Sequence, residues 1–86
     1  MRLDKYLKVS RIVKRRTLAN EICDAGRVTV NGKTARASLT VKPGDVVELT
    51  MGQRVVRIRV LQIEEKAGKD YAREMYEMLE SDAKEV

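Results

Sequence analysis

The first residues of the chain alternate apolar and basic positions with the period of an α-helix. At about 100° per residue, three apolar residues share one side of a helical wheel: Leu3, Tyr6 and Leu7. Three basic residues occupy another arc: Arg2, Lys5 and Lys8. The pattern predicts a short amphipathic helix over residues 2–9, with an apolar side for a core and a basic side in water.

A second apolar stripe predicts a helix over residues 15–25. Leu18, Ile22 and Ala25 have the i, i+4, i+7 spacing of one helix face, and Gly26 stands where a left-handed residue ends many helices. The helix would begin at three basic residues, Lys14-Arg15-Arg16, whose charge opposes the helix dipole. Two explanations remain open. Either an external anion such as a phosphate offsets the charge, or the three side chains extend into water.

The next forty residues have the alternation and turn signals of β-strands. Val28 and Val30 alternate with polar neighbours, and Asn31-Gly32 is a strong signal for a two-residue hairpin. The run Pro43-Gly44-Asp45 predicts a type II turn. It leads into a strand over 46–50, and a longer strand follows over 54–63. These segments predict a small, twisted, largely antiparallel sheet.

The composition changes near the end, where residues 64–86 hold four Lys and Arg against eight Asp and Glu. Four residues with helical spacing, Tyr71, Met75, Met78 and Leu79, predict a final helix that packs on the rest of the chain. We therefore expect an α+β fold of two N-terminal helices on a mainly antiparallel sheet, plus a C-terminal helix. The expected division is a domain over residues 1–62 and an acidic linker with that helix over residues 63–86.

Charge is divided unevenly along these 86 residues. Residues 1–44 hold eleven Lys and Arg against three Asp and Glu, whereas residues 45–86 hold seven against ten. Such a division is typical of a face that binds a polyanion and a tail that does not. The chain has no His and a single Cys, Cys23, so we expect no metal site, no cofactor and no catalytic centre. No stretch reads as a membrane span or a signal peptide, and we expect a complete, cytoplasmic protein.

The order of the motifs resembles the S-four RNA-binding domain, also called the αL motif. The blocks that carry the resemblance are Arg2-Leu3-Asp4, Arg16 with Ala19, Gly26–Gly32, and Gly44-Asp45. The resemblance covers about residues 1–62. Arg15 departs from the pattern, since the family usually has Ser there; the change removes a capping hydroxyl and adds a cation. The resemblance implies the fold outlined above and the binding of structured RNA.

Over its whole length the chain is similar to the RqcP family of bacterial ribosome-associated quality control, related to stand-alone heat-shock proteins with this domain. The opening residues 1–11, the run Lys14–Ala19, and Met75-Tyr76 carry this match. It implies binding to a large ribosomal subunit obstructed by peptidyl-tRNA. It also implies contact with rRNA and the P-site tRNA, and support for C-terminal Ala tailing by a separate elongation factor. The alternative is a heat-shock-type or assembly factor that binds rRNA on free large subunits.

All eleven basic residues of the first 44 are candidate RNA-binding residues. Packing of the two helices would bring Arg2 and Lys5 close to Arg16, which makes these three the main candidates. The patch would extend over Lys8, Arg11, Lys14 and Arg15. A second run of phosphates would meet Arg27, Lys33, Arg36 and Lys42. For each residue the alternative is an ordinary solvated charge.

Other residues have mainly structural interpretations. We expect Asp4 to orient a nearby Arg or Lys, Tyr6 to belong to the core, and Cys23 to be a small apolar residue, not a reactive thiol. Arg57 and Arg59 read as an exposed strand face. With few aromatic residues for base stacking, the target would be a folded RNA element gripped through phosphates and 2′-hydroxyls. A membrane-surface role for the first helix is disfavoured, because the core needs its apolar residues. We expect a monomer.

Overall fold

The computed structural model describes residues 1–64 and 69–81, and in these residues three α-helices, a 3-10 turn and a five-stranded sheet form the fold. The elements in chain order are α1 (Leu3–Val9), α2 (Arg16–Asp24), β1 (Val28–Val30), β2 (Lys33–Thr34), β3 (Val46–Met51), β4 (Arg54–Val60), α3 (Lys69–Ala72), a 3-10 turn (Arg73–Met75) and β5 (Tyr76–Ser81). The strand order is β2-β1-β3-β4-β5, and all the pairings are antiparallel. The predicted α+β class is confirmed. No helix in the two described ranges is long and apolar enough to cross a lipid bilayer.

Local sequence signals account for the end of α2 and for the hairpin. Gly26, with φ +75°, follows the last helical turn, and the N–H of Arg27 donates to the Ile22 carbonyl at 3.0 Å. This is the Schellman arrangement that a left-handed residue permits. Asn31 and Gly32 both have positive φ, which suits a type I′ turn, and they join β1 to β2. The register of the hairpin is therefore set by two residues.

A single core lies between the helices and the sheet. Leu3, Tyr6 and Leu7 of α1 are fully buried there, as predicted. The predicted face of α2 was partly wrong. Ala19, Ile22 and Cys23 are buried, whereas Leu18 is 41% exposed and Ala25 is exposed. Leu18 lies about 200° around the helix from Arg16, and Arg16 faces α1.

The C-terminal segment contradicts the predicted final helix. Among the described residues 69–81, only Lys69–Ala72 is α-helical; a 3-10 turn follows, and Tyr76–Ser81 forms β5 against the edge of β4. Met75 is fully buried, but Met78 is 49% exposed. The helical spacing of Tyr71, Met75, Met78 and Leu79 did not decide the conformation, because pairing of β5 with β4 satisfies the backbone N–H and C=O groups along the edge of β4. β4 ends at Val60, three residues earlier than predicted. The division at residues 62 and 63 stays a prediction.

Candidate nucleic-acid interface

A buried carboxylate joins the two N-terminal helices. Asp4, on the first turn of α1, is 1% exposed. Its oxygens lie 3.3 Å from Nη2 of Arg2 and 3.3 Å from Nε of Arg16. They also accept hydrogen bonds from the Asn20 amide at 3.0 Å and from the Lys5 backbone N–H at 2.7 Å. Helix packing thus brings Arg2 and Arg16 together, and we call these two residues the arginine pair.

The arginine pair is held in place but open to solvent. About half of each side chain is exposed, 51% for Arg2 and 47% for Arg16, while the Asp4 side chain between them is 2% exposed. A single negative charge between two guanidinium groups leaves a net positive cluster. A guanidinium has five N–H donors in one plane, so each arginine can hold the carboxylate on one side and present donors to a phosphate on the other.

The ionised state of Asp4 is secured by these neighbours. Burial by itself raises the pKa of the carboxyl group, but the hydrogen bond from Arg16 and the one from the Lys5 backbone outweigh it, with further help from Arg2. The net pKa of Asp4 is lower than its usual value. The carboxylate therefore stays charged at neutral pH and keeps the arginine pair attached.

Backbone hydrogen bonds fasten the start of α1 to the loop over residues 35–41. The N–H groups of Leu3 and Asp4 donate to the carbonyls of Leu39 and Ala37, at 2.7 and 3.1 Å. The N–H of Val41 donates to the Met1 carbonyl at 3.0 Å. The first N–H groups of a helix need such acceptors, and here a loop supplies them in place of a capping side chain. These hydrogen bonds hold the loop next to the arginine pair.

The seven basic residues predicted around the two helices are called the helical patch: Arg2, Lys5, Lys8, Arg11, Lys14, Arg15 and Arg16. Those outside the arginine pair lie on α1 and on its connection to α2. Lys5 is partly exposed on α1, and Lys8, Arg11, Lys14 and Arg15 are exposed. Arg15 is the N-cap of α2 and provides no side-chain cap, as its replacement of a Ser led us to expect. Arg11 has φ +64°, in the left-handed region that favours glycine. Residues with a side chain rarely adopt this conformation, so the backbone of Arg11 is strained.

A second group of basic residues surrounds a groove beside the hairpin. We call it the hairpin groove; it encloses about 570 Å³, and its basic residues are Lys33, Arg36 and Lys42. Asp45, 9% exposed, organises one wall by accepting hydrogen bonds from the Asn31 amide at 3.1 Å and from the Lys42 backbone N–H at 2.9 Å. The Asp45 carboxylate therefore links the hairpin to the turn before β3.

The remaining arginines are placed differently. Arg27, a predicted site residue, is exposed between α2 and β1. Arg57 lies 3.5 Å from Glu48, and Arg59 lies 3.0 Å from Glu77, both across neighbouring strands. These two arginines form the exposed strand face that the alternation indicated, and the structure shows in addition that each is paired with a carboxylate. Their charges are largely offset by the carboxylates.

Two expected structural residues are buried. The Tyr6 hydroxyl donates to the Met75 carbonyl at 2.6 Å, which ties α1 to the C-terminal segment, and burial raises the pKa of Tyr6. Burial also raises the pKa of the Cys23 thiol, to about 11. The predictions that Tyr6 belongs to the core and that Cys23 packs as a small apolar residue are confirmed.

Sequence reasoning missed two features of this surface. Asn20 supports the arginine pair by donating to Asp4; its i+4 spacing from Arg16 was the available signal, since both residues then share a helix face. Leu39 is 39% exposed in the wall of the hairpin groove, and nothing in its local sequence marks it. Its position depends on the contact between the loop and α1.

Several known proteins are similar to this chain in sequence or in fold. The S4 domain family matches residues 1–47. The chain is 48% identical over 82 residues to the "RQC P-site tRNA stabilizing factor" of Bacillus subtilis, covering 95% of both chains. It is 49% identical over 78 residues to the protein of that name from Halalkalibacterium halodurans, covering 91% and 89%. The trimeric structure of Vibrio cholerae Heat Shock Protein 15 matches with TM-score 0.84 and 31% identity, over 92% of this chain and 81% of that one.

Proposed function

The chain belongs to the S4-domain family, and within it to the family of the RQC P-site tRNA stabilizing factors, and from this premise we propose that it acts in ribosome-associated quality control. It binds the large ribosomal subunit obstructed by peptidyl-tRNA, contacts rRNA and the P-site tRNA, and so supports C-terminal Ala tailing by a separate elongation factor. It acts by binding, without catalysis, in the cytoplasm where its target lies.

The arginine pair is the observation that carries the proposal. Arg2 and Arg16 are each about half exposed and are oriented by one buried carboxylate. Two guanidinium groups fixed side by side can hold two phosphates of a folded RNA without losing much side-chain entropy on binding. A merely solvated surface charge would need no such buried support.

Binding would depend on charge and on RNA shape. If the helical patch and the hairpin groove together neutralise roughly 4–6 phosphates, log K falls with log salt with a slope of about −3 to −5. We therefore expect tight association at low salt and a steep loss near 0.5 M salt. An affinity that does not change with salt would contradict the proposal.

Co-sedimentation with large subunits tests the proposed target. Subunits that carry peptidyl-tRNA should retain the protein, and Arg16→Ala should release it at physiological salt. Arg54→Ala is the matched control, because Arg54 is exposed at the start of β4 and lies outside both basic groups. Equal retention of Arg16→Ala and the unchanged protein would rule out the arginine pair as the contact.

The tailing role needs a test in cells. A reporter translated from an mRNA without a stop codon should carry C-terminal Ala tails, which mass spectrometry detects. In cells that lack this protein the tails should shorten or disappear, and Arg54→Ala but not Arg16→Ala should restore them. Equal retention by free subunits without tRNA, with unchanged tails, would favour a heat-shock-type function, which the likeness to Heat Shock Protein 15 makes the relevant alternative.

A further inference from the structure

The hairpin groove contains apolar side chains, which a surface that binds only phosphates does not need. Its wall includes the apolar side chains of Val30, Ala35 and Leu39, in addition to its basic residues. Leu39 leaves 39% of its surface exposed there. A volume of about 570 Å³ lies within the usual range of small-ligand pockets, roughly 300–1,000 Å³. The groove is therefore large enough for a base and its sugar.

A tight turn places an apolar and a planar cationic side chain at this wall. The Leu39 N–H donates to the Arg36 carbonyl at 3.0 Å, so these residues occupy the two ends of one turn. A guanidinium plane can stack on a nucleobase in the way that an aromatic ring does, and an aliphatic side chain can cover the other face. Neutral hydrogen-bonding groups of Asn31, Ser38 and Thr40 also line the groove.

The groove has a net positive charge, with three basic residues and one acidic residue in its wall. Within residues 1–64 and 69–81, no carboxylate forms an ion pair with Lys33, Arg36 or Lys42, whereas the arginine pair shares Asp4. The one acidic residue in the wall, Asp45, accepts from the Asn31 amide and the Lys42 backbone. An occupant with negative charge is therefore expected.

The hairpin groove is continuous with the arginine pair. Arg36 and Ser38 line both the hairpin groove and a neighbouring depression, and Arg2 and Asn20 also line that depression, together with the acidic Asp24. Arg2 and Asn20 also border the hollow that contains Arg16. A single polyanion can follow this path from Arg16 to Lys42, which favours an RNA strand over an acidic peptide.

We propose that the hairpin groove holds one unstacked nucleotide of the bound RNA, with its base against Leu39 and Arg36 and its phosphates at Lys33 and Lys42. This inference rests on the proposed function, since it concerns the RNA that the arginine pair grips. It adds a site for an unpaired base to a surface that otherwise contacts backbone. The target would then be a helix next to a bulge, loop or flipped nucleotide.

Salt titrations of affinity for purified large subunits carrying peptidyl-tRNA separate base from phosphate contacts. Leu39→Ala should weaken binding roughly threefold to tenfold without changing the slope of log K against log salt, because an apolar contact is lost. Lys42→Ala should reduce that slope by about 0.7–0.9. Leu61→Ala is the matched control, since Leu61 is 43% exposed outside the groove, and it should change neither quantity.

The outcomes are distinguishable from failure of the proposed function. If Arg16→Ala abolishes binding but Leu39→Ala equals Leu61→Ala, the base site is refuted and the proposed function stands. If Arg16→Ala also has no effect, the proposed function fails. If Leu39→Ala weakens binding to whole subunits but not to their deproteinised RNA, a ribosomal protein occupies the groove and the inference is overturned.

Ultraviolet cross-linking of the unchanged protein gives an independent readout. Irradiation at short wavelength joins side chains to bases that they touch. After nuclease and trypsin digestion, the peptide over residues 37–54 should carry the mass of a single nucleotide, because trypsin does not cleave the bond between Lys42 and Pro43. An adduct confined to peptides of α1 and α2 would contradict the inference, whatever the variants show.

Discussion

Replacement of Asp4 by Asn tests whether the arginine pair is pre-organised, because charge and geometry make opposite predictions. The change removes one negative charge and places an amide donor beside the Asn20 amide and the two guanidinium groups. Loss of one partner of a buried ion pair costs about 3–5 kcal/mol. Here both arginines are about half exposed and regain water, so we expect a loss of about 2–3 kcal/mol in the free energy of unfolding.

The assay is thermal and urea unfolding followed by circular dichroism. For a domain of this size, about 4–8 °C per kcal/mol makes the expected fall in Tm roughly 10–20 °C. Asp24→Asn is the control: Asp24 is exposed at the end of α2, and the same substitution there should change stability by less than about 0.5 kcal/mol.

The dependence on pH has a defined sign. The pKa of Asp4 is lowered in the folded protein, so its contribution to stability is complete above the pKa of the unfolded chain, about 3.9. It is lost as the pH falls through the lower, folded pKa. The difference in stability between the unchanged protein and Asp4→Asn should therefore narrow below about pH 4.

RNA affinity, measured at a temperature where both proteins are folded, completes the test. Charge alone predicts that Asp4→Asn binds more tightly, since the net charge becomes more positive. Release of two restrained arginines predicts binding about fivefold to tenfold weaker, because ordering each long side chain costs up to about 2 kcal/mol. A variant with normal Tm and tighter binding would refute the pre-organisation of the arginine pair.

Three further predictions follow from single residues. Arg11→Gly should raise the free energy of unfolding in urea by up to about 1 kcal/mol, because φ +64° suits glycine. The same change should reduce the slope of log K for RNA against log salt by about 0.9 if Arg11 contacts a phosphate. A lower free energy of unfolding would contradict the backbone strain at Arg11. Tyr6→Phe should cost about 1 kcal/mol by removing the hydrogen bond to the Met75 carbonyl, and an unchanged midpoint would show that this bond contributes nothing. Cys23, buried and with a pKa of about 11, should react with a thiol reagent at pH 8 only after unfolding; rapid labelling of the native protein would contradict its burial.

Local signals in the sequence were sufficient to predict the elements whose conformation depends on residues close together in the chain. The apolar positions of α1, the left-handed Gly26 and the Asn31-Gly32 turn each act within a few residues, so their spacing predicted α1, the end of α2 and the hairpin. The charge division likewise indicated a face that binds a polyanion, since it depends on residue types alone. The resemblance of the motif order to the S-four domain implied that the polyanion is RNA.

Other features depend on contacts between residues that are far apart in the chain, and these could not be predicted from the sequence. The C-terminal stripe has helical spacing, but the open edge of β4 offered backbone hydrogen bonds, and Tyr76–Ser81 became a strand. The buried face of α2 was set by the attachment of Arg16 and Asn20 to Asp4, sixteen positions from Asn20 along the chain. The hairpin groove exists because the loop containing Leu39 caps α1 through its carbonyls. Long-range hydrogen bonds and ion pairs of this kind leave no periodic pattern in the sequence. A basic face could therefore be predicted from residue types and spacing, whereas the way in which its charges are held depends on the folded chain.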